Sequence, residues 1–170
     1  MTKTMKLAMV LLVSAAGVAQ AGGSEGSIGV GGEIMLNGTT GGASINYDAG
    51  KFHVGGFVGL DDPPGANNTD FSIGGRFYYH VASTGGSDFG LGGAIGILSD
   101  GNPGGMGTTN RNTDLFLEPG FQIRAFVVPN VAISFTGGIV IGAIDAGGVK
   151  FGAQVEGLAG IHYYFFGGAK

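Results

Sequence analysis

The sequence contains no cysteine and no tryptophan, and only 12% of its 170 residues are charged. Without cysteine there is neither a disulfide framework nor an attachment point for an N-terminal lipid. A water-exposed surface normally carries roughly 25–35% charged residues, so the shortage of charge argues against an ordinary soluble globule. Basic residues are the scarcer sign, eight Lys plus Arg against twelve Asp plus Glu. Phosphate neutralisation needs clustered lysine and arginine, and no nucleic-acid partner is expected. Long apolar runs are missing too: beyond residue 21 none reaches the ~20 residues of a transmembrane helix. If the chain crosses a bilayer it does so as a closed barrel, the other way to satisfy backbone groups in lipid. The Ser, Pro, Lys and Glu enrichment of disordered chains is absent, and the hydrophobic share is 44%.

What is present begins with a targeting pattern. Lys3 and Lys6 form a positive start, Leu7 to Val18 an apolar core, and Ala19-Gln20-Ala21 a small-x-small cleavage site. This reads as a secretory signal peptide over 1–21, too short to span a bilayer as a helix. One domain is expected over 22–170, with six basic residues against twelve acidic.

Period-two alternation dominates that domain, interrupted by turn-forming clusters. Strands are expected at about 27–37, 42–48, 51–60, 71–82, 88–98, 114–128, 131–143 and 150–166. Between them lie NGTTGG, DAG, DDPPGANNTD, TGGSD, DGNPGGMGTTNRNT, PN and DAGGV, rich in the residues turns require. Splitting each strand by parity separates two lists. Phe52, Val54, Val58 and Leu60 oppose Lys51 and His53; Phe71, Ile73, Phe77 and Tyr79 oppose Arg76 and His80. Leu115, Leu117, Phe121 and Ile123 oppose Glu118, Gln122 and Arg124; Val155, Ile161, Tyr163 and Phe165 oppose Gln154, Glu156 and His162. One parity carries no charge in any strand.

In a soluble barrel the apolar parity would point inward and leave a glycine-rich, charge-poor face to water. In a membrane barrel the charge-free face meets lipid, where an Arg or Lys near the midplane costs roughly 2–4 kcal/mol. The second assignment explains the complete segregation and is the one adopted. The turns alternate in the matching phase: DAG, TGGSD and PN are tight and fall on the side of the termini, while DDPPGANNTD and DGNPGGMGTTNRNT fall on the other. Two features strain the pattern. The second strand is shorter than the ~9–11 residues of a tilted spanning strand. Pro119 falls inside the sixth, where a bulge with Gly120 is expected.

With these elements the chain resembles the small eight-stranded outer-membrane β-barrel family, which includes the membrane domain of outer membrane protein A and its relative protein X. The resemblance implies an all-β fold, an eight-stranded antiparallel up-and-down transmembrane β-barrel, in the cell outer membrane of a Gram-negative-type bacterium. In that family the last strand is read by the outer-membrane assembly machinery and closes on an aromatic residue. Gly160-Ile161-His162-Tyr163-Tyr164-Phe165-Phe166 looks like such a signal, continued here by Gly167-Gly168-Ala169-Lys170. The implied partners are outer-membrane lipid and, during biogenesis, that machinery.

An eight-stranded barrel is just wide enough for side chains to fill, so the polar parity supplies the candidate site. Glu33, Glu118 and Glu156 against Arg76 and Arg124 are expected to form an ion-pair network across the lumen, with Arg76 in reach of Glu33 and Glu156. His53, His80 and His162 share this parity near the end bearing the termini. Clustered histidines can bind zinc or copper, but hydrogen-bonded filling is the simpler reading, and no metal or other cofactor is expected. Gly22-Gly23-Ser24-Glu25-Gly26 matches G-x-S-x-G only on paper, since it sits in a tail and not at a strand-to-helix turn. Asp61, Asp62, Asp70 and Asp100 make the loops acidic in a spacing that fits no EF-hand. The expected role is non-catalytic: a structural, surface-presenting membrane element with a polar plugged lumen. The alternatives are a narrow porin-like pore for ions or small solutes, for which glycines such as Gly55, Gly74 and Gly96 leave space, and a soluble lipocalin-like ligand-binding barrel with the faces reversed. No surface ligand is assigned.

Overall fold

The computed structural model describes residues 24–35, 41–62, 69–101, 111–144 and 148–165; at 35, 100, 112, 143–144 and 148–157 the description is of the backbone. Residues 1–23, 36–40, 63–68, 102–110, 145–147 and 166–170, among them the expected signal peptide over 1–21, lie outside it. Eight strands follow one another in chain order: β1 Ile28–Met35, β2 Gly41–Asp48, β3 Phe52–Asp61, β4 Asp70–Ser83, β5 Ser87–Asp100, β6 Asn112–Val128, β7 Val131–Ile144 and β8 Gly148–Phe165. Each pairs antiparallel with the next, and β8 returns to β1 to close a barrel. Every expected strand is present, with ends displaced by at most two residues. The fold is the eight-stranded antiparallel up-and-down barrel.

The tight connections are built by the residues that prescribe them. After β2, Gly50 takes φ 81°, a left-handed conformation that glycine adopts without a Cβ clash. Its N–H donates to Asp48 Oδ1 at 2.9 Å, and Ala49 N–H donates to Phe52 O at 2.8 Å. After β4, Thr84 Oγ1 accepts from Ser87 N–H at 3.0 Å, a side chain standing in for a backbone turn bond. Pro129-Asn130 joins β6 to β7, and Asn130 O accepts from Tyr164 N–H at 2.7 Å.

Closure is uneven. β1 and β2 have eight residues each, β6 seventeen and β8 eighteen. β8 therefore pairs with β1 only from Leu158 to Phe165, and its first ten residues run past the end of β1, paired with β7 at 148–151 and 155–157.

The bulge expected at Pro119 is not there. Pro119 stays in register with Gly93 on β5; toward β7 the pairing lapses at Glu118 and Pro119 and resumes at Gly120↔Gly138 with its offset unchanged. The chain tolerates the missing N–H as a local gap in one ladder. The irregularities fall instead between His80 and Ala82, Phe126 and Val128, and Ile139 and Ile141.

Polarity is inverted relative to a water-soluble core. Among the described residues, fifteen polar or charged side chains are buried against six apolar or aromatic ones. Ile34, Ile45, Leu91, Ile95, Leu117, Ile139 and Ile161 each expose half or more of their surface. The outward face of the described strand residues carries no Asp, Glu, Lys, Arg or His. A soluble monomer rarely exposes contiguous apolar surface beyond a few hundred Å², and here it encircles the barrel.

The face assignment has a direct consequence. Ile95→Arg, on the outward face of β5, is expected to destabilise the barrel folded in lipid vesicles by about 2–4 kcal/mol, and Leu60→Arg at the end of β3 by about 0–1 kcal/mol. Urea titration of both variants measures this. A neutral effect of both would indicate that the face meets water.

Candidate functional site

The interior is organised around two arginines. Arg124 on β6 is 2% exposed, and its Nη2 donates to Asp48 Oδ2 on β2 and Asp88 Oδ2 on β5, each at 2.7 Å. Nη1 donates to the Tyr164 hydroxyl on β8 at 3.1 Å, and the guanidinium lies over the Phe126 and Tyr164 rings at 5.6 and 5.8 Å. One side chain thus bridges four strands. Arginine suits this position because its planar fork stays charged and can both hydrogen-bond and stack.

His80 on β4 borders the same group, its Nε2 3.1 Å from Arg124 Nη2 and 2.8 Å from His53 Nδ1 on β3. Its Nδ1 lies 2.8 Å from Gly50 O. A carbonyl only accepts, so His80 Nδ1 carries a proton; in the neutral ring Nε2 then offers a lone pair, with His53 Nδ1 the donor. Nη2 has two hydrogens, and the shorter contacts assign them to the aspartates.

The second arginine, Arg76 on β4, makes a two-pronged contact with Glu33 on β1, Nη1 to Oε2 at 2.9 Å and Nη2 to Oε1 at 2.5 Å. Its Nε donates to Asn46 Oδ1 on β2 at 3.2 Å. Ser44 Oγ donates to Glu33 Oε1 at 3.1 Å, and His162 Nε2 on β8 lies 2.6 Å from Ser44 Oγ and 3.1 Å from Glu33 Oε1. Having spent its one hydrogen on Glu33, Ser44 accepts from His162. Glycine makes the pairing possible: a Cβ on Gly160 would stand 2.8 Å from Glu33 Cγ. Gln122 and Thr136 add a bond of 3.2 Å, beside the fully buried Tyr78.

The expected single network is two groups. Glu33 and Arg76 come together; Arg124 does not take a glutamate but Asp48 and Asp88, which the sequence places in the turn strings DAG and TGGSD. Continuing the strand parity Ser44, Asn46 to Asp48 would have marked the first of them. Glu118 is buried with its Cγ against the Gly138 position. Glu156 is opposite Gly138 in the β7–β8 register, and its side chain lies outside the described residues. The histidines divide likewise: His53 and His80 touch, while His162 belongs to the Glu33 group. Among the described residues, Asp48, His80 and Asp88 have three metal-capable atoms within 4.8 Å, but Arg124 Nη2 contacts all three and supplies the positive charge itself. In the loops, Asp62 Oδ1 accepts from Thr69 Oγ1 at 2.8 Å and Asp70 Oδ1 from Gly101 N–H at 2.8 Å.

Beyond the Arg76 layer, on the side away from the termini, the lining changes character. Phe57 on β3 and Phe116 on β6 approach to 6.2 Å between ring centres. They border a cavity of about 50 Å³ whose lining includes Leu98, Leu158, Tyr78, Arg76, Glu33 and Glu118. Phe116 fits because β5 carries glycine beside it; a Cβ on Gly96 would stand 2.7 Å from its ring.

An apolar girdle facing outward, charge paired inward and a closed ladder define the class: an eight-stranded membrane β-barrel. The fold is similar to that in the crystal structure of the N-terminal β-barrel domain of OprF from Pseudomonas aeruginosa, with a TM-score of 0.58 over 84% of this chain and 99% of that one, at 15% identity. The sequence matches no protein-family profile, and no curated protein sequence is measurably similar.

Arg124→Met leaves two buried carboxylates without their cation and is expected to cost about 3–5 kcal/mol. Adding Asp48→Asn and Asp88→Asn removes the stranded charges and is expected to restore most of it. Urea unfolding of the single and triple variants tests the pairing; equal losses in both would contradict it.

Proposed function

We propose that the chain is an integral outer-membrane β-barrel protein, without catalytic activity, that serves as a structural element presenting loops at the cell surface while its lumen stays closed. The observation that carries the reading is the pair of arginine-centred groups inside the barrel, Arg124 with Asp48 and Asp88, and Arg76 with Glu33. A wet conduit has to pass both. Breaking either strands buried charge, which costs several kcal/mol, so the closed lumen is the low-energy arrangement. The narrow-pore alternative requires both groups to rearrange together.

The outer-membrane location draws support from the apolar girdle and from the alternation of tight and longer connections. The tight turns after β2, β4 and β6 share the end that carries Ser24 and Phe165, the periplasmic end in this reading. Outer-membrane lipid and the assembly machinery that inserts such barrels are the implied partners, and the signal peptide over 1–21 supplies export.

Two measurements test the proposal. In planar lipid bilayers the purified barrel is expected to show no steady open level, and a sustained conductance in the wild type would favour the pore. In intact cells, protease is expected to cut within 100–113 and to spare the turn at 84–86; the reverse pattern would invert the orientation.

A further inference from the structure

The turn after β2 is bonded into the Arg124 group from outside. Gly50 is exposed at the end that carries the termini, yet its peptide groups touch two members of that group. Its N–H donates to Asp48 Oδ1 at 2.9 Å, leaving Oδ2 to hold Arg124 at 2.7 Å. Its carbonyl accepts from His80 Nδ1 at 2.8 Å, and His80 Nε2 lies 3.1 Å from Arg124 Nη2. Lys51 O fixes the same histidine a second time, accepting its backbone N–H at 2.8 Å. The other tight turns are tied differently. Thr84 spends its hydroxyl inside its own turn, on Gly86 and Ser87 N–H, and Asn130 O takes the backbone N–H of Tyr164, not its phenol.

Two features make this turn a lever. The end of β2 is anchored independently of it: Gly26 N–H donates to Asp48 O at 2.8 Å, and Asp48 N–H to Ser27 O at 2.9 Å. A displaced turn therefore lets go of the Asp48 carboxylate and the His80 ring and leaves the strand in place. The turn's conformation also hangs on one residue. Gly50 holds φ 81°, a left-handed conformation that costs an L-residue roughly tenfold in population. A Cβ there would meet Glu25 at 3.6 Å, an ordinary contact, so Gly50→Ala adds that conformational cost without a clash. Once Asp48 turns away, the buried guanidinium keeps Asp88 and Tyr164 but lacks one carboxylate, and a charge short of partners draws in water.

We propose that the turn after β2 is a latch on the lumen: Gly50 is the positioning residue that aims Asp48 and His80 at Arg124, and displacing it opens the space between the two arginine groups to the end that carries the termini. The Arg76 group stays shut, so the latch governs access from one end and not conduction through the barrel. The proposal rests on the closed-lumen reading.

The chain has no cysteine, so a single introduced thiol reports its own surroundings. Ser134 is 4% exposed; it is in register with Arg124 on β6 and, through Gly160 on β8, with Glu33 on β1. Ser134→Cys therefore reports from between the groups, and Ser99→Cys, at a buried position beyond the Arg76 group, from the other end. Alkylation of the folded chain by iodoacetamide in nonionic detergent micelles is followed by mass spectrometry. Adding Gly50→Ala is expected to speed the reaction of Ser134→Cys about tenfold and to leave Ser99→Cys unchanged. Gly50→Asn, which accepts a positive φ at less cost, is expected to fall between, and Gly85→Ala in the turn after β4 to change neither rate. No effect of Gly50→Ala at 134, equal acceleration at 134 and 99, or the same acceleration from Gly85→Ala would each overturn the latch alone. Rapid alkylation of Ser134→Cys with Gly50 intact would overturn the closed lumen and the latch together.

Discussion

The interior of this barrel is governed by one constraint: a charge taken out of water has to meet its opposite at hydrogen-bonding distance. Arg124 satisfies it by drawing one carboxylate from β2, one from β5 and a phenol from β8 onto a single guanidinium. The contacts with β2 and β8 join strands that are not neighbours in the ladder, something backbone pairing does not do. Arg76 repeats the device between β4 and β1, and the glycine at 160 leaves room for the glutamate it holds. The backbone closes the cylinder, and the two arginines set what its inside is like.

The outside follows from the same physics with the solvent changed. In hydrocarbon the cheapest surface is aliphatic and aromatic, and charge is excluded from it. The two faces of each strand therefore answer to different solvents, and period-two alternation satisfies both at once. Glycine serves the inward list: beside Phe116 and Glu33 it replaces a side chain where a large neighbour crosses the lumen. The result is a lumen divided between polar groups near the termini and an aromatic section farther away.

Most of the fold was legible in the sequence because alternation is a local signal. The segregation of Phe71, Ile73, Phe77 and Tyr79 from Arg76 and His80 is visible without coordinates, and so are the turn strings between strands. The site was legible only in part. Parity places Arg76, Arg124, Glu33 and the histidines inside, but partnership across a lumen depends on height along tilted strands, which parity does not encode. Asp48 and Asp88 were hidden for a related reason: aspartate next to glycine or serine reads as turn chemistry, and Asp48 does cap a turn through Gly50 N–H while its other oxygen holds Arg124. Pro119 misled in the opposite way, since a prescribed defect was absorbed as a gap in one ladder.

By itself the sequence determined that the chain is a sequence of amphipathic strands, which face of each excludes charge, and where the tight turns fall, because each depends on residues adjacent along the chain. Only the tertiary structure decided which carboxylate meets which arginine, that His53 pairs with His80 and not with His162, and that an aromatic-walled cavity remains beyond Arg76. Those outcomes depend on ring closure and strand stagger. These bring residues such as Arg124 and Asp48, seventy-six positions apart, to within a hydrogen bond of each other.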